Sequence, residues 1–141
     1  MIYEIKLGEA IGDIKIGMPR SEVKALFKNL KEWTELPYGY THVIQYDIND
    51  DFQIVYDENN CVSFILCTSP EKTTLNGKSI GEYTYIDLLS EIQQLDDCLE
   101  EDGEGFVSNA LGFGANIGMD DEKEYVESIQ VAVKNFWESE G

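Results

Sequence analysis

Apolar residues fall at helical spacing in only two stretches of this chain; elsewhere they mostly alternate with polar ones. Val23, Leu26, Phe27 and Leu30 sit at i, i+3, i+4 and i+7, one face of a helix. Tyr85, Leu88, Leu89, Ile92, Leu95 and Leu99 make the second such face. Residues 2–7, 11–16, 41–48, 52–57, 61–67, 105–118 and 126–133 read as extended. An element with one apolar side must bury it against another element, so few layer arrangements remain. The expectation is an α+β fold: two amphipathic helices packed on an antiparallel sheet.

Turn residues divide these segments. Pro19 can open the first helix, where its missing N–H is not needed. Pro37 and Gly39 close that segment. Asp57-Glu58-Asn59-Asn60 suits a tight hairpin, and Ser69-Pro70 and Asn76-Gly77 mark further turns. Thr84 with Asp87 three positions on forms a capping box at the second helix, with Asp in place of Glu. An acidic loop follows that helix. Val131-Ala132-Val133 reads as a last buried strand, with Phe136 and Trp137 packing the end down.

The halves look alike. Ile16-Gly17 and Ile80-Gly81 precede the two helices at an offset of 64, and the helix faces align at an offset of 62. Two explanations stand: an internal repeat of residues 11–70 and 75–137, or the chance likeness of any two amphipathic helices. At 141 residues the chain suits a single domain, 1–141.

Several chemistries find no foothold. Cys61, Cys67 and Cys98 are odd in number and lack a C-x-x-C pair, which suggests reduced, mostly buried thiols. His42 is the lone histidine, so neither a zinc cluster nor a nucleophile–imidazole pair is expected. Asp47, Asn49, Asp51 and Glu58 match calcium-loop positions 1, 3, 5 and 12, but Phe52 stands where glycine must turn. Residues 112–118 are glycine-rich without a dinucleotide or P-loop pattern; bent strand is the simpler reading. No carboxylate pair stands out among 28 acids as a hydrolase site. The expectation is no enzyme, no cofactor and no metal. An acid lies inside the first apolar run with no basic segment before it, and no run of about 18 apolar residues occurs; neither a signal peptide nor a membrane span is expected.

Charge is the outstanding property. The formal net charge is −18, from 28 acids against 10 bases. Residues 1–40 carry six of each, so the whole excess lies in residues 41–141. Asp96, Asp97, Glu100, Glu101, Asp102 and Glu104 form one cluster. Asp120, Asp121, Glu122, Glu124 and Glu127 form a second, and Asp47, Asp50, Asp51, Asp57 and Glu58 a third. Nucleic acid and anionic membranes are repelled by such a chain. Sixteen aromatic residues argue against a disordered acidic tail. A solvated surface kept for solubility is one explanation; a docking face for a basic protein is the other. Tyr38, Tyr40, Tyr46, Tyr56 and Tyr125, near the acids in sequence, are candidate anchors or ordinary core.

Ile14-Lys15-Ile16-Gly17-Met18-Pro19-Arg20-Ser21-Glu22-Val23 resembles the strand–Gly-Met–helix opening of small bacterial domains of the SmpA/BamE kind. With Tyr56-Asp57-Glu58-Asn59-Asn60-Cys61-Val62-Ser63-Phe64-Ile65, residues 15–65 resemble small immunity proteins encoded beside polymorphic or contact-dependent growth-inhibition toxins. The second resemblance implies a cytoplasmic, non-enzymatic inhibitor of a cognate toxin, often a nuclease. Together with the charge, the expectation is occlusion of a basic cleft by the three acidic clusters. The first resemblance implies a non-enzymatic protein-binding scaffold instead.

Overall fold

The structure, a computed structural model, describes residues 2–36, 38–39 and 43–137. Strand β1 (Tyr3–Lys6) leads into a hairpin of β2 (Ala10–Ile11) and β3 (Ile14–Lys15), then helix α1 (Arg20–Leu26). A meander follows: β4 (Lys31–Glu35), β5 (Ile44–Ile48), β6 (Phe52–Tyr56) and β7 (Val62–Cys67). A 3-10 turn at Pro70–Lys72 opens the second half, with hairpin β8 (Thr73–Leu75) and β9 (Lys78–Ser79), and another 3-10 turn at Ile80–Glu82. Helix α2 (Tyr85–Gln93) precedes a second meander: β10 (Glu100–Asp102), β11 (Gly105–Ser108), β12 (Phe113–Asp120) and β13 (Lys123–Ala132).

The two meanders join edge to edge into one antiparallel sheet of eight strands, in the order β10-β11-β12-β13-β7-β6-β5-β4. A smaller sheet, β3-β2-β1-β8-β9, ties the halves together through a parallel β1–β8 pair. The core fills the space between these layers. Phe52, Ile54, Ile65, Phe113, Ile129 and Val131 of the large sheet meet Val23, Leu88 and Ile92 of the helices and Ile5, Ile11, Ile14 and Leu75 of the small sheet. Each large apolar side chain buried this way contributes about 1.5–3 kcal/mol relative to exposure. The α+β layout with helices on an antiparallel sheet is therefore present, and the small sheet is the layer the sequence did not announce.

Both halves run hairpin, helix, four-stranded meander. Across the seam Leu66 pairs with Gln130, 64 positions on, while Ile65 faces Val131 and Cys67 faces Ile129. Each meander carries one register shift in the corresponding place, at Val55/Tyr56 and at Asn116/Ile117. Each helix cap bridges to the start of its meander's last strand, Pro19 to Cys61 and Thr84 to Tyr125. The caps Pro19 and Thr84 lie 65 apart, while the apolar faces of the two helical stretches align at an offset of 62.

Local corrections have physical reasons. Helix α1 stops at Leu26, which is exposed; Phe27 and Leu30 pack on the core from extended backbone beyond the helix. Helix α2 stops at Gln93, leaving Leu95 exposed. Strands β4 and β10 lie outside the segments whose sequence reads as extended, yet ladder pairing with β5 and β11 recruits them. Thr84 Oγ1 accepts the Asp87 N–H at 3.1 Å, as a cap should. His42, Thr41 and Tyr40 lie outside the described residues.

Candidate functional site

Members of two of the three acidic clusters, Glu101 and Asp102 of the first and Glu124 of the second, act on one side chain, and the third cluster is dispersed. Strand β10 is an edge strand, and Glu100, Glu101 and Asp102 on it are all exposed. Asp102 Oδ1 accepts the N–H groups of Glu104 (2.7 Å) and Gly105 (3.2 Å), which folds the chain back into β11 and leaves Glu104 exposed. At the far end of β12, Asp120 pairs with Lys123 across a two-residue turn made by Asp121 and Glu122. Both turn residues have positive φ, 48° and 68°, the pattern of the tight hairpin turn that matches strand twist. Asp120, Asp121, Glu122 and Glu124 are exposed.

Tyr85, the first residue of α2, links the two clusters. Its hydroxyl donates to Glu101 Oε2 at 3.2 Å. Burial raises its pKa first; the negative charges of Glu101, Asp102 and Glu124 raise it further. Carboxylates from β10 and β13 thus act on one phenol at the start of α2, where Thr84 also bridges to Tyr125. Exposed carboxylates at this concentration repel one another, and a cation placed among them relieves that repulsion.

Asp96 and Asp97 precede this surface and have other duties. Asp96 is half-buried; it accepts Ser108 Oγ at 2.6 Å and the Cys98 N–H at 3.0 Å, pinning the loop to β11. Asp97 is exposed and accepts the Cys98 thiol at 3.4 Å, and that bond, with the charge behind it, raises the thiol's pKa. Asp96, Asp97 and Cys98 place ligand-type atoms within 4.8 Å of one another. Asp96 and Asp97 act as turn acceptors, with the Cys98 N–H and thiol as their donors.

The third cluster is dispersed, which corrects the expectation that it belongs to the docking face. Asp47 is fully buried: Arg20 Nη2 donates to Oδ1 at 2.7 Å, Arg20 Nε to Oδ2 at 3.2 Å, and the Tyr56 hydroxyl to Oδ2 at 2.6 Å. Burial alone would raise this carboxyl; bonds from Arg20 and Tyr56 outweigh it and hold the pKa low. Asp51 accepts Ser69 Oγ at 2.8 Å and Lys72 Nζ at 3.0 Å. Asp57 accepts the Asn59 and Cys61 N–H groups in the β6–β7 turn. Asp50 and Glu58 are exposed in turns of the first half. Of the candidate anchors, Tyr46 and Tyr56 are core residues, while Tyr38 and Tyr125 are exposed.

Two concavities flank these elements. A cleft of about 430 Å³ lies between the start of β13 and the two 3-10 turns, lined in part by Glu71, Tyr83, Tyr125 and Glu127. A groove of about 370 Å³ runs over the other face of the large sheet, lined in part by Tyr46, Val55, Phe64, Phe136 and Trp137. Sequence reasoning missed Glu71 and Tyr83 because neither belongs to a charge run.

No protein-family model matches this chain, and no curated protein matches it at a significant level. Among solved structures the chain is similar to the uncharacterized protein yfeY from Escherichia coli, with a TM-score of 0.57 and 13% sequence identity. The match covers 94% of this chain and 99% of yfeY. At that identity the likeness concerns the fold alone. Among the described residues, no helix is long and apolar enough to cross a membrane.

Proposed function

We propose that this protein is a non-enzymatic inhibitor of the immunity type that binds a basic protein, a toxin of the nuclease class, through the carboxylates of β10 and the β12–β13 hairpin. The observation that carries the reading is the Tyr85 hydroxyl, which donates to Glu101 Oε2 at 3.2 Å on β10 and also feels Asp102 and Glu124. Glu100, Glu101, Asp102 and Glu104 are exposed at one edge of the sheet and Asp120, Asp121, Glu122 and Glu124 on the β12–β13 hairpin, so both elements offer anionic oxygens to a partner. Such a surface resembles a phosphate backbone electrostatically, steers a basic cleft toward it, and needs no bond-making. Action in the cytoplasm belongs to the same proposal, because a nuclease toxin must be met where its substrate is.

Mixing the protein in equal amounts with the toxin domain encoded by the neighbouring gene should abolish cleavage; undiminished cleavage defeats the proposal. Reversal of Glu101, Asp102 and Glu124 to Lys should weaken binding and flatten its salt dependence. Reversal of Asp50 and Glu58, on the other half, should leave both unchanged.

We also infer that the chain is a tandem pair of similar α/β units. Support comes from the matched order of elements, the seam register at Leu66–Gln130 and the equivalent register shifts. The units differ inside. In each, the first helical residue meets the second strand of the meander: Arg20 with Asp47 in one, Tyr85 with Phe106 in the other, the last two rings lying 6.0 Å apart. In the first unit Asp47 and Asp51 are neutralised by Arg20 and Lys72, whereas no ion pair among the described residues reaches Glu100, Glu101, Asp102 or Glu124 of the second.

A further inference from the structure

We propose that the cleft between β13 and the 3-10 turns seats an arginine side chain of the same basic partner; this rests on the docking reading above and specifies where one of its cations goes. The cleft, of about 430 Å³, is large enough for a guanidinium and its methylene stem. Its charged lining residues are Glu71 and Glu127, both exposed acids, and no Lys or Arg lines it. Among the described residues neither carboxylate accepts a hydrogen bond or joins an ion pair, whereas Asp51 nearby already holds Lys72. The cleft is therefore anionic with acceptors to spare.

Its aromatic walls suit a planar cation. Lys78 Nζ lies 4.2 Å from the Tyr83 ring centroid, so one face of that buried ring is already covered by a cation and Tyr125 is the ring left for a ligand. Tyr125, 43% exposed, lies across Gly118, where even a Cβ would come within 2.4 Å of its ring. The missing side chain at Gly118 leaves room for the tyrosine ring over β12, and Tyr125 also contributes to the cleft lining. A guanidinium can stack on such a ring and present its in-plane N–H groups to a carboxylate, which a compact ammonium cannot do. Tyr125 also bridges to Thr84. It borders the acidic surface around Tyr85, so one partner can reach both.

The test is amide-resolved NMR of the intact protein titrated with acetyl-Gly-Arg-Gly-amide, with the lysine and citrulline peptides as comparisons. Saturating shifts at residues 68–71, 80–83 and 125–127 are expected with the arginine peptide, with weaker response to lysine and least to citrulline. Glu127→Gln and Glu71→Gln should each lower the arginine affinity roughly tenfold, the loss of one charge-assisted bond. Both positions are exposed, and an unchanged melting temperature would confirm intact folding. Arginine shifts confined to residues 100–104 and 120–124 would overturn the cleft proposal while leaving the docking surface standing. A citrulline response equal to arginine, or no response in the cleft, would overturn it too. The docking surface fails separately, if the Lys reversals at Glu101, Asp102 and Glu124 leave toxin binding unchanged.

Discussion

Arg20 and Asp47 form a buried, two-pronged ion pair: Nη2 to Oδ1 at 2.7 Å and Nε to Oδ2 at 3.2 Å, with side chains 12% and 0% exposed. The Arg20 guanidinium also lies 4.8 Å from the Tyr56 ring centroid, and its Nη1 donates to Gln45 at 2.9 Å. The pair ties the first turn of α1 to β5 across 27 positions of sequence.

Removing one member leaves the other charged and buried, so Arg20→Ala or Asp47→Ala should cost about 3–5 kcal/mol, read by urea unfolding. The triple variant Arg20→Met, Asp47→Leu, Tyr56→Phe removes every member and should recover most of that loss. The second half makes the same contact with two rings, Tyr85 and Phe106. A triple variant as unstable as the single ones would disprove the comparison.

The same pair sets the acid limit. Bonds from Arg20 and Tyr56 lower the Asp47 pKa in the folded state. Its stabilisation is thus present above the unfolded value, about 3.9, and is lost as pH falls below that toward the folded value. Wild type should lose stability steeply in this window, and Asp47→Asn, already destabilised, should show a shallower decline. Parallel curves would refute the assignment.

Salt should stabilise this protein. Glu101, Asp102 and Glu124 crowd one phenol, and their repulsion is screened as the Debye length shortens. Melting temperature should rise between about 0.05 and 0.5 M NaCl, and the Glu101→Gln, Glu124→Gln double variant should rise less. A steeper rise in the variant would contradict the surface described.

Two glycines should tolerate replacement very differently. A Cβ on Gly105, at φ +155°, would meet the Ala115 carbonyl oxygen at 2.1 Å, and backbone cannot step aside. A Cβ on Gly118 meets the Tyr125 ring first, at 2.4 Å, and a side chain can swing away where backbone cannot. Gly105→Ala should therefore cost well over the roughly 1–3 kcal/mol typical of overpacking. Gly118→Ala should stay within that range and displace Tyr125, measurable by denaturation and tyrosine fluorescence.

The thiols should separate by reactivity. Cys67 is fully buried in the core, and that burial pushes its pKa up to about 11. With Ellman's reagent at mildly alkaline pH, exposed Cys98 and half-buried Cys61 should react in the native state. Cys67 should react only after unfolding; equal rates for all three would show that the sheet opens readily.

Much of the fold was legible because periodicity reports what an element buries. Alternation marked Phe52, Ile54 and Tyr56 as one face of a strand, and the structure buries all three. The cap at Thr84 was equally visible, since a hydroxyl at that spacing has one local use. What local pattern cannot report is the pairing partner. Glu100–Asp102 contains nothing that favours a strand and Lys31–Glu35 only Trp33 and Thr34, yet each completes an edge because a neighbour supplies the ladder. The site was legible in sign but not in direction. Asp47 reads in sequence like any other acid of its cluster, and only the fold brings Arg20 to it. Glu71 and Glu127 sit 56 positions apart, and a charge run cannot show that they line one cleft.

The seam between β7 and β13 bears on the order in which this chain must fold. Each meander pairs near neighbours, so its hairpins close at little entropic cost. Leu66 and Gln130 lie 64 residues apart, and their ladder forms economically only once both meanders exist. Two local nuclei followed by a late closure is the route this topology favours. A newly made chain can complete its first meander before the second leaves the ribosome, and must then keep the open flank of β7 unpaired until β13 arrives.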